Sequence, residues 1–252
     1  MQLPLNTRTK PGLNCCKIIP KYIYTLPMFP LRFKEDPTTH NILTVTPLKE
    51  LHYAKGHGIT KSDTTPLIFE IAKFSKPKVV VIIGTGDGLI PRVLREAQIA
   101  AQVPASKTYL IDLGETMGAM PDKIHNPKSL FRVLYPEIVV FKGRSCPDGL
   151  TFLKKHEQRI DILWIDGDHS FEGSLADFKT YKPLMSEDGL IFLHDTAPNG
   201  ANAQQPEWCG VDKTIKYIKA HCPDIEMLNF TPTPFLELGM GFAILKKNKA
   251  YK

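Results

Sequence analysis

Apolar β-branched runs alternate with helical periodicity through most of this chain. The clearest run is Val79-Val-Val-Ile-Ile83, which reads as a strand buried on both faces. It ends in Gly84-Thr-Gly-Asp-Gly88, after which a helical pattern begins at Leu89. Further strands are expected at 107–112, 137–142, 160–165 and 189–194, with helices near 89–101, 127–135, 148–158 and 172–184 between them. Short strands alternating with helices imply right-handed crossovers and a doubly wound, mostly parallel α/β sheet. A helix at 211–221 and strands at 225–230 and 239–246 complete seven strands, the last expected as a hairpin-like edge strand.

Upstream the pattern changes. Residues 1 to about 46 are rich in proline yet carry Ile18-Ile19 and Tyr22-Ile-Tyr24, which need burial. This reads as an arm packed over the domain or onto a second copy, and so points to a homodimer. Thr46 to Phe74 reads as two helical pieces, each opened by a capping residue and an early proline. In the second, Leu67, Ile68, Ile71 and Phe74 are expected on the buried face. The expected organisation is an arm and lid over residues 1–60 and one globular domain over 61–252.

Composition narrows the class. At 42% hydrophobic and 23% charged the chain is ordinary for a globular protein. No apolar run approaches the roughly 20 residues of a membrane span, and the first residues lack a signal-peptide layout, so a cytoplasmic protein with no membrane partner is expected. Five scattered cysteines without a C-x-x-C argue for reduced thiols rather than a disulfide framework or a zinc site. The net charge of +6 sits largely near the termini, with no basic and aromatic stripe, which argues against a nucleic-acid partner.

In doubly wound sheets, ligands bind beyond the carboxyl ends of the strands, where strand order reverses. Such junctions here carry carboxylates, among them Asp87, Asp112, Asp166 and Asp195. Glycines at the first let the backbone approach a ligand. Asp112, at the end of the second strand, is placed to accept hydrogen bonds from ribose hydroxyls, or else to cap a turn before Gly114. Asp166 ends the fourth strand, followed by Asp168 and His169; Asp166 or Asp168 is alternatively a helix N-cap. His194-Asp195-Thr196 ends the fifth. Carboxylates from adjacent strand ends suit a hard divalent cation such as Mg²⁺, with Asp166 and Asp195 as ligands and His194 or Thr196 as a third. His169, three residues beyond Asp166, is the acid–base candidate, and a hydrogen-bonded turn residue otherwise. Ser145, in the loop after the third strand, can meet an adenine edge.

Together, Ile-Gly84-Thr-Gly-Asp-Gly, Leu-Ile-Asp112, Trp-Ile-Asp166-Gly-Asp-His-Ser-Phe-Glu-Gly and Asp-Gly-Leu-Ile-Phe-Leu-His194-Asp-Thr resemble the S-adenosylmethionine-dependent methyltransferases of the Rossmann-like class. The resemblance covers about residues 60 to 247 and is nearest the small O-methyltransferases and the cephalosporin-hydroxylase-like, macrolide-sugar and catechol-type branches. It implies a seven-stranded sheet with a final antiparallel strand and methyl transfer to a hydroxyl of a small-molecule acceptor, a sugar or natural-product intermediate. The cofactor set implied is Gly84, Thr85, Gly86, Asp87, Asp112, Leu113, Ser145 and Asp166. Asp166, His194 and Asp195 would hold Mg²⁺, while His169, with Asp166, would carry catalysis. Two positions depart from the pattern. Ile82 stands where an acidic residue is common, and His194 where several relatives have a carboxylate. A nicotinamide-dependent dehydrogenase, an RNA methyltransferase and a non-catalytic cofactor-binding homologue are the alternative readings.

Overall fold

The computed structural model describes residues 65–84, 88–114, 124–197, 210–231 and 241–249. The proline-rich arm, the first helical piece and Pro198 to Trp208 lie outside them, as do Thr85, Gly86 and Asp87.

Seven strands form one sheet: β1 (Val79–Ile83), β2 (Lys107–Asp112), β3 (Val139–Lys142), β4 (Ile160–Ile165), β5 (Met185–His194), β6 (Ile225–Phe230) and β7 (Phe242–Lys247). Their order is β3-β2-β1-β4-β5-β7-β6, with β7 alone running against its neighbours. Chain order reverses between β1 and β4, where Ile83 pairs with Ile165. The residues following both strands, Gly84 and Asp166, therefore lie side by side at the switch point.

Among the described residues, the helices that cover the sheet are α1 (Thr65–Ser75), α2 (Leu89–Ala100), α3 (Leu130–Leu134), α4 (Leu150–His156), α5 (Phe171–Tyr181) and α6 (Val211–His221). Alternate side chains of the central strands serve two cores. Val80, Ile82, Leu110, Ile162 and Trp164 pack with α1, α2 and α3. Val81, Ile83, Ile111, Leu163 and Ile165 pack with α4, α5 and α6. Both faces being dry, these strands read as continuous apolar runs instead of alternating ones.

Several expectations change. On α1 the buried stripe is Thr65, Ile68, Phe69 and Ala72, while Phe74 is 79% exposed. The stripe obeys helical spacing, but the covering partner selects a face one position round from the most apolar choice. The last strand is not an edge: β7 is inserted between β5 and β6, and β6 forms the border. β5 begins at Met185 rather than 189, and β3 shrinks to four residues. The helix expected from 148 starts at Leu150, after a wide turn through Ser145–Gly149. Among the described residues, no helix is long and apolar enough to cross a membrane.

Candidate active site

The site begins with a backbone contact. Gly84 has φ +84°, and a Cβ there would lie 2.0 Å from the Asp166 carbonyl oxygen. Glycine is required both by the left-handed conformation and by this approach. Gly84 N–H donates to Ile111 O, and Asp166 N–H donates to Ile83 O, each at 2.9 Å. The first glycine is thereby locked against the start of the acidic junction.

Beyond β4, the chain turns through Asp168, whose Oδ1 accepts from the Ser170 N–H at 2.9 Å. Ser170, and neither aspartate, caps α5, its Oγ accepting from the Gly173 N–H at 2.9 Å. His169 between them is held from outside, because Gly210 N–H donates to its carbonyl at 2.8 Å. A Cβ on Gly210 would fall 1.9 Å from Phe171 N, so the amino end of α6 presses directly on this turn.

Beyond β5, His194 and Asp195 are nearly inaccessible, their side chains 4% and 2% exposed. Asp195 sits at φ +59°, unusual for a residue with a side chain. His194 packs against Trp164, ring centroids 5.8 Å apart, and its Nδ1 hydrogen-bonds Asp166 Oδ1 at 2.9 Å. The same nitrogen is 3.0 Å from Asp195 Oδ1. His169 spans the pair from the open side, Nε2 lying 3.3 Å from Asp166 Oδ1 and Nδ1 2.9 Å from Asp195 Oδ2. Neither Asp195 oxygen closes a hydrogen bond of good geometry despite these short distances, and both are buried.

Four titratable groups thus face one another in a cluster whose inner pair, His194 and Asp195, is buried. Burial alone would raise the carboxyls. The His194 charge and the close imidazole contacts outweigh it and hold Asp166 and Asp195 below the usual carboxylate range. Burial likewise disfavours charged imidazoles, but the carboxylates prevail, raising His169 to about 10 and His194 well above its ordinary value. Ligand atoms of Asp166, His169 and Asp195 lie within 4.8 Å of one another and can hold a metal ion. The donor set fits a divalent cation, and so do two buried carboxylate oxygens without completed hydrogen bonds. Thr196 is directed elsewhere, its hydroxyl donating to Asn229 Oδ1 at 2.7 Å.

The other predicted residues border this centre on the β1–β2–β3 side. Asp112 Oδ1 accepts the Gly114 N–H at 2.6 Å, so the turn-capping role is realised, and His125 Nε2 lies 3.4 Å from the same oxygen. Leu113 beside it is 45% exposed. Ser145 donates to Asp177 Oδ1 at 2.5 Å, and the Tyr181 hydroxyl donates to the Ser145 carbonyl at 2.6 Å. His125, Asp177 and Gly210 were not singled out from sequence. Asp177 carried a signal, an acid at helical spacing with Ser174 and Tyr181 on the buried stripe of α5. His125 and Gly210 carried none.

Sheet order, the antiparallel β7 and Gly84 set against Asp166 at the switch point define the Rossmann-like, class I methyltransferase fold. A family model described as "Methyltransferase domain" matches residues 64–196, a little over half the chain, and the chain belongs to that methyltransferase family. Among solved structures it is similar to the O-methyltransferase from Bacillus cereus in complex with S-adenosylhomocysteine, at 13% identity and a TM-score of 0.60, covering 77% of this chain and 84% of that one. TomG from Streptomyces achromogenes, an O-methyltransferase of tomaymycin synthesis bound to S-adenosylmethionine, aligns at 13% identity and a TM-score of 0.55, covering 76% and 82%. The S-adenosylhomocysteine-bound methyltransferase PaMTH1 from Podospora anserina aligns at 16% and 0.53, covering 76% and 80%. Identities this low speak for the fold alone. No curated protein matches the chain in sequence.

Proposed function

We propose that this chain is an S-adenosylmethionine-dependent O-methyltransferase acting on a hydroxyl of a small molecule, a sugar or natural-product intermediate. One observation carries the reading: Asp166, His169, His194 and Asp195 converge at the ends of β4 and β5, with Gly84 after β1 set against Asp166. The O-methyltransferases of like fold with bound S-adenosylmethionine or S-adenosylhomocysteine support it.

S-adenosylmethionine would supply a methyl group on a sulfonium, open to in-line attack by an oxygen. Gly84, with Thr85, Gly86 and Asp87, would lie along its methionine and ribose portions. Asp112 and Leu113 would face the ribose, and Ser145, fixed by Asp177 and Tyr181, the adenine. Asp166, between the two ends, would border both cofactor and acceptor. A divalent cation held by Asp166, Asp195 and a neighbouring imidazole would supply charge that polarises an acceptor oxygen and relieves His169 of neutralising the carboxylates. His169 then takes the hydroxyl proton as the O–CH₃ bond forms and the S–CH₃ bond breaks. Its side chain, 30% exposed against 2% for Asp195, is the member of the cluster that faces the opening. Holding the nucleophile in line with the methyl carbon would provide much of the rate.

The test pairs cofactor binding by calorimetry with S-adenosylhomocysteine formation over a panel of sugar and phenolic acceptors. Acceptor-dependent turnover is expected, and His169→Asn should reduce it by about 10²-fold or more while cofactor affinity holds. Full turnover in His169→Asn removes that residue as the base; turnover on RNA alone removes the small-molecule reading.

A further inference from the structure

We propose that Asp177 is a positioning residue that sets the cofactor's purine specificity: by accepting the Ser145 hydroxyl, it presents Ser145 Oγ to the purine as an acceptor only. The site thereby selects a purine with an exocyclic amine over one with a keto group at the same carbon. This rests on reading Ser145 as the residue that borders the adenine. It goes beyond that reading in naming a residue that acts through Ser145 and the purine group that the pair distinguishes.

The turn after β3 is clamped without Asp177. The Tyr181 hydroxyl donates to the Ser145 carbonyl at 2.6 Å, and the Gly149 N–H donates to the Arg144 carbonyl at 2.9 Å. A Cβ on Gly149 would lie 2.8 Å from Ile111 Cγ2 and 3.1 Å from the Tyr181 hydroxyl, so the turn closes tightly on β2 and α5. Asp177 stands one turn before Tyr181 on the buried stripe of α5, and its Oδ1 accepts from Ser145 Oγ at 2.5 Å. With the backbone already held, this bond settles the direction of the hydroxyl proton.

That direction decides what Ser145 can recognise. A serine hydroxyl has one proton and two lone pairs, whereas an ionised carboxylate only accepts. The proton therefore lies between the two side chains, and Oγ offers lone pairs elsewhere. The exocyclic amine of adenine donates to such an oxygen; a keto oxygen in its place would set lone pair against lone pair. Burial raises the Asp177 carboxyl to about 6, the Ser145 hydrogen bond opposing and the Asp168 charge adding, so the group is ionised at neutral pH. A buried charge held this way weakens the fold there. An uncharged amide would tie the turn to α5 without that cost, but an amide can turn its NH₂ to Ser145 and let the hydroxyl reverse. A carboxylate cannot.

The experiment titrates the full chain at neutral pH, by calorimetry, with S-adenosylhomocysteine and with S-inosylhomocysteine, its keto analogue. The adenosyl compound should bind at least about tenfold more tightly, since the keto form strands buried polar groups. Asp177→Asn should narrow this ratio, and Asp177→Leu should bring it to within about threefold of equality. Tyr181→Phe, which loosens the turn but leaves the Ser145–Asp177 bond, should weaken both compounds alike and keep the ratio. The wild-type ratio decides even if Asp177→Leu fails to fold. Equal affinity in the wild type, an unchanged ratio in both Asp177 variants, or a ratio lost as fully in Tyr181→Phe as in Asp177→Leu overturns the inference. Methyl transfer with no preference between the two compounds would overturn this inference and leave the proposed function standing. A preference that depends on Asp177, without methyl transfer on any acceptor, would do the reverse.

Discussion

The two ends of the parallel strands treat buried polar groups in opposite ways. At the amino end, Gln98 is fully buried, and its amide donates to the carbonyls of Pro77, Lys78 and Lys107 at 3.1–3.3 Å. Its Oε1 accepts from Thr108 Oγ1 at 2.7 Å and Arg95 Nη1 at 3.1 Å. Asp161 there takes the N–H groups of Lys78 and Val79 at 2.8 and 3.0 Å. At the carboxyl end, Asp195 is just as buried, yet its oxygens end in short contacts that complete no hydrogen bond. A satisfied buried polar group ties elements together; a buried charge crowded by imidazoles, with its hydrogen bonds incomplete, marks a candidate functional site.

Perturbing each end sharpens the contrast. Gly84→Ala should do most, because the new Cβ meets the Asp166 carbonyl in a left-handed conformation; a loss of about 3–5 kcal/mol in denaturant unfolding is expected. Next is Asp177, which ties the loop after β3 to α5 through Ser145. Burial raises its pKa from 3.8 to about 6, the Ser145 hydrogen bond opposing and the Asp168 charge adding. Between these values the folded chain keeps a proton that the unfolded chain has released. This contribution to stability is therefore full below about pH 4 and lost as pH rises through 6, by on the order of 2–3 kcal/mol. Asp177→Asn should flatten that slope in melting curves taken from pH 4 to 7. Gln98→Ala should cost about 2 kcal/mol by stranding buried partners, with turnover per folded molecule unchanged. A fall in turnover there would break the division between the two ends.

The strands and the carboxyl-end residues were legible in the sequence, unevenly, and the polar network of Gln98 and Asp161 at the amino end was not. Val79–Ile83 and Ile160–Ile165 announced themselves because a strand covered on both faces has no polar alternation to confuse its reading. Phe74 misled because hydrophobicity marks what a helix can bury, while the partner α2 decides which face it does bury. The place of β7 inside the sheet was hidden, since strand order depends on long-range pairing with Leu190–His194 that no local pattern encodes. At the site, Asp166, His169, His194 and Asp195 were found through their positions at strand ends. Their mutual geometry was not, nor was the way Gly210 from α6 grips the carbonyl of His169.

Asp195→Asn tests the central claim most directly, because it removes one charge from the carboxylate pair at a residue outside the cofactor-facing set. Turnover, followed as S-adenosylhomocysteine release, should fall by about 10²-fold or more, with cofactor affinity by calorimetry within about threefold of wild type. Turnover that stays near the wild-type value would contradict the assignment of this cluster as the acceptor end of the active site.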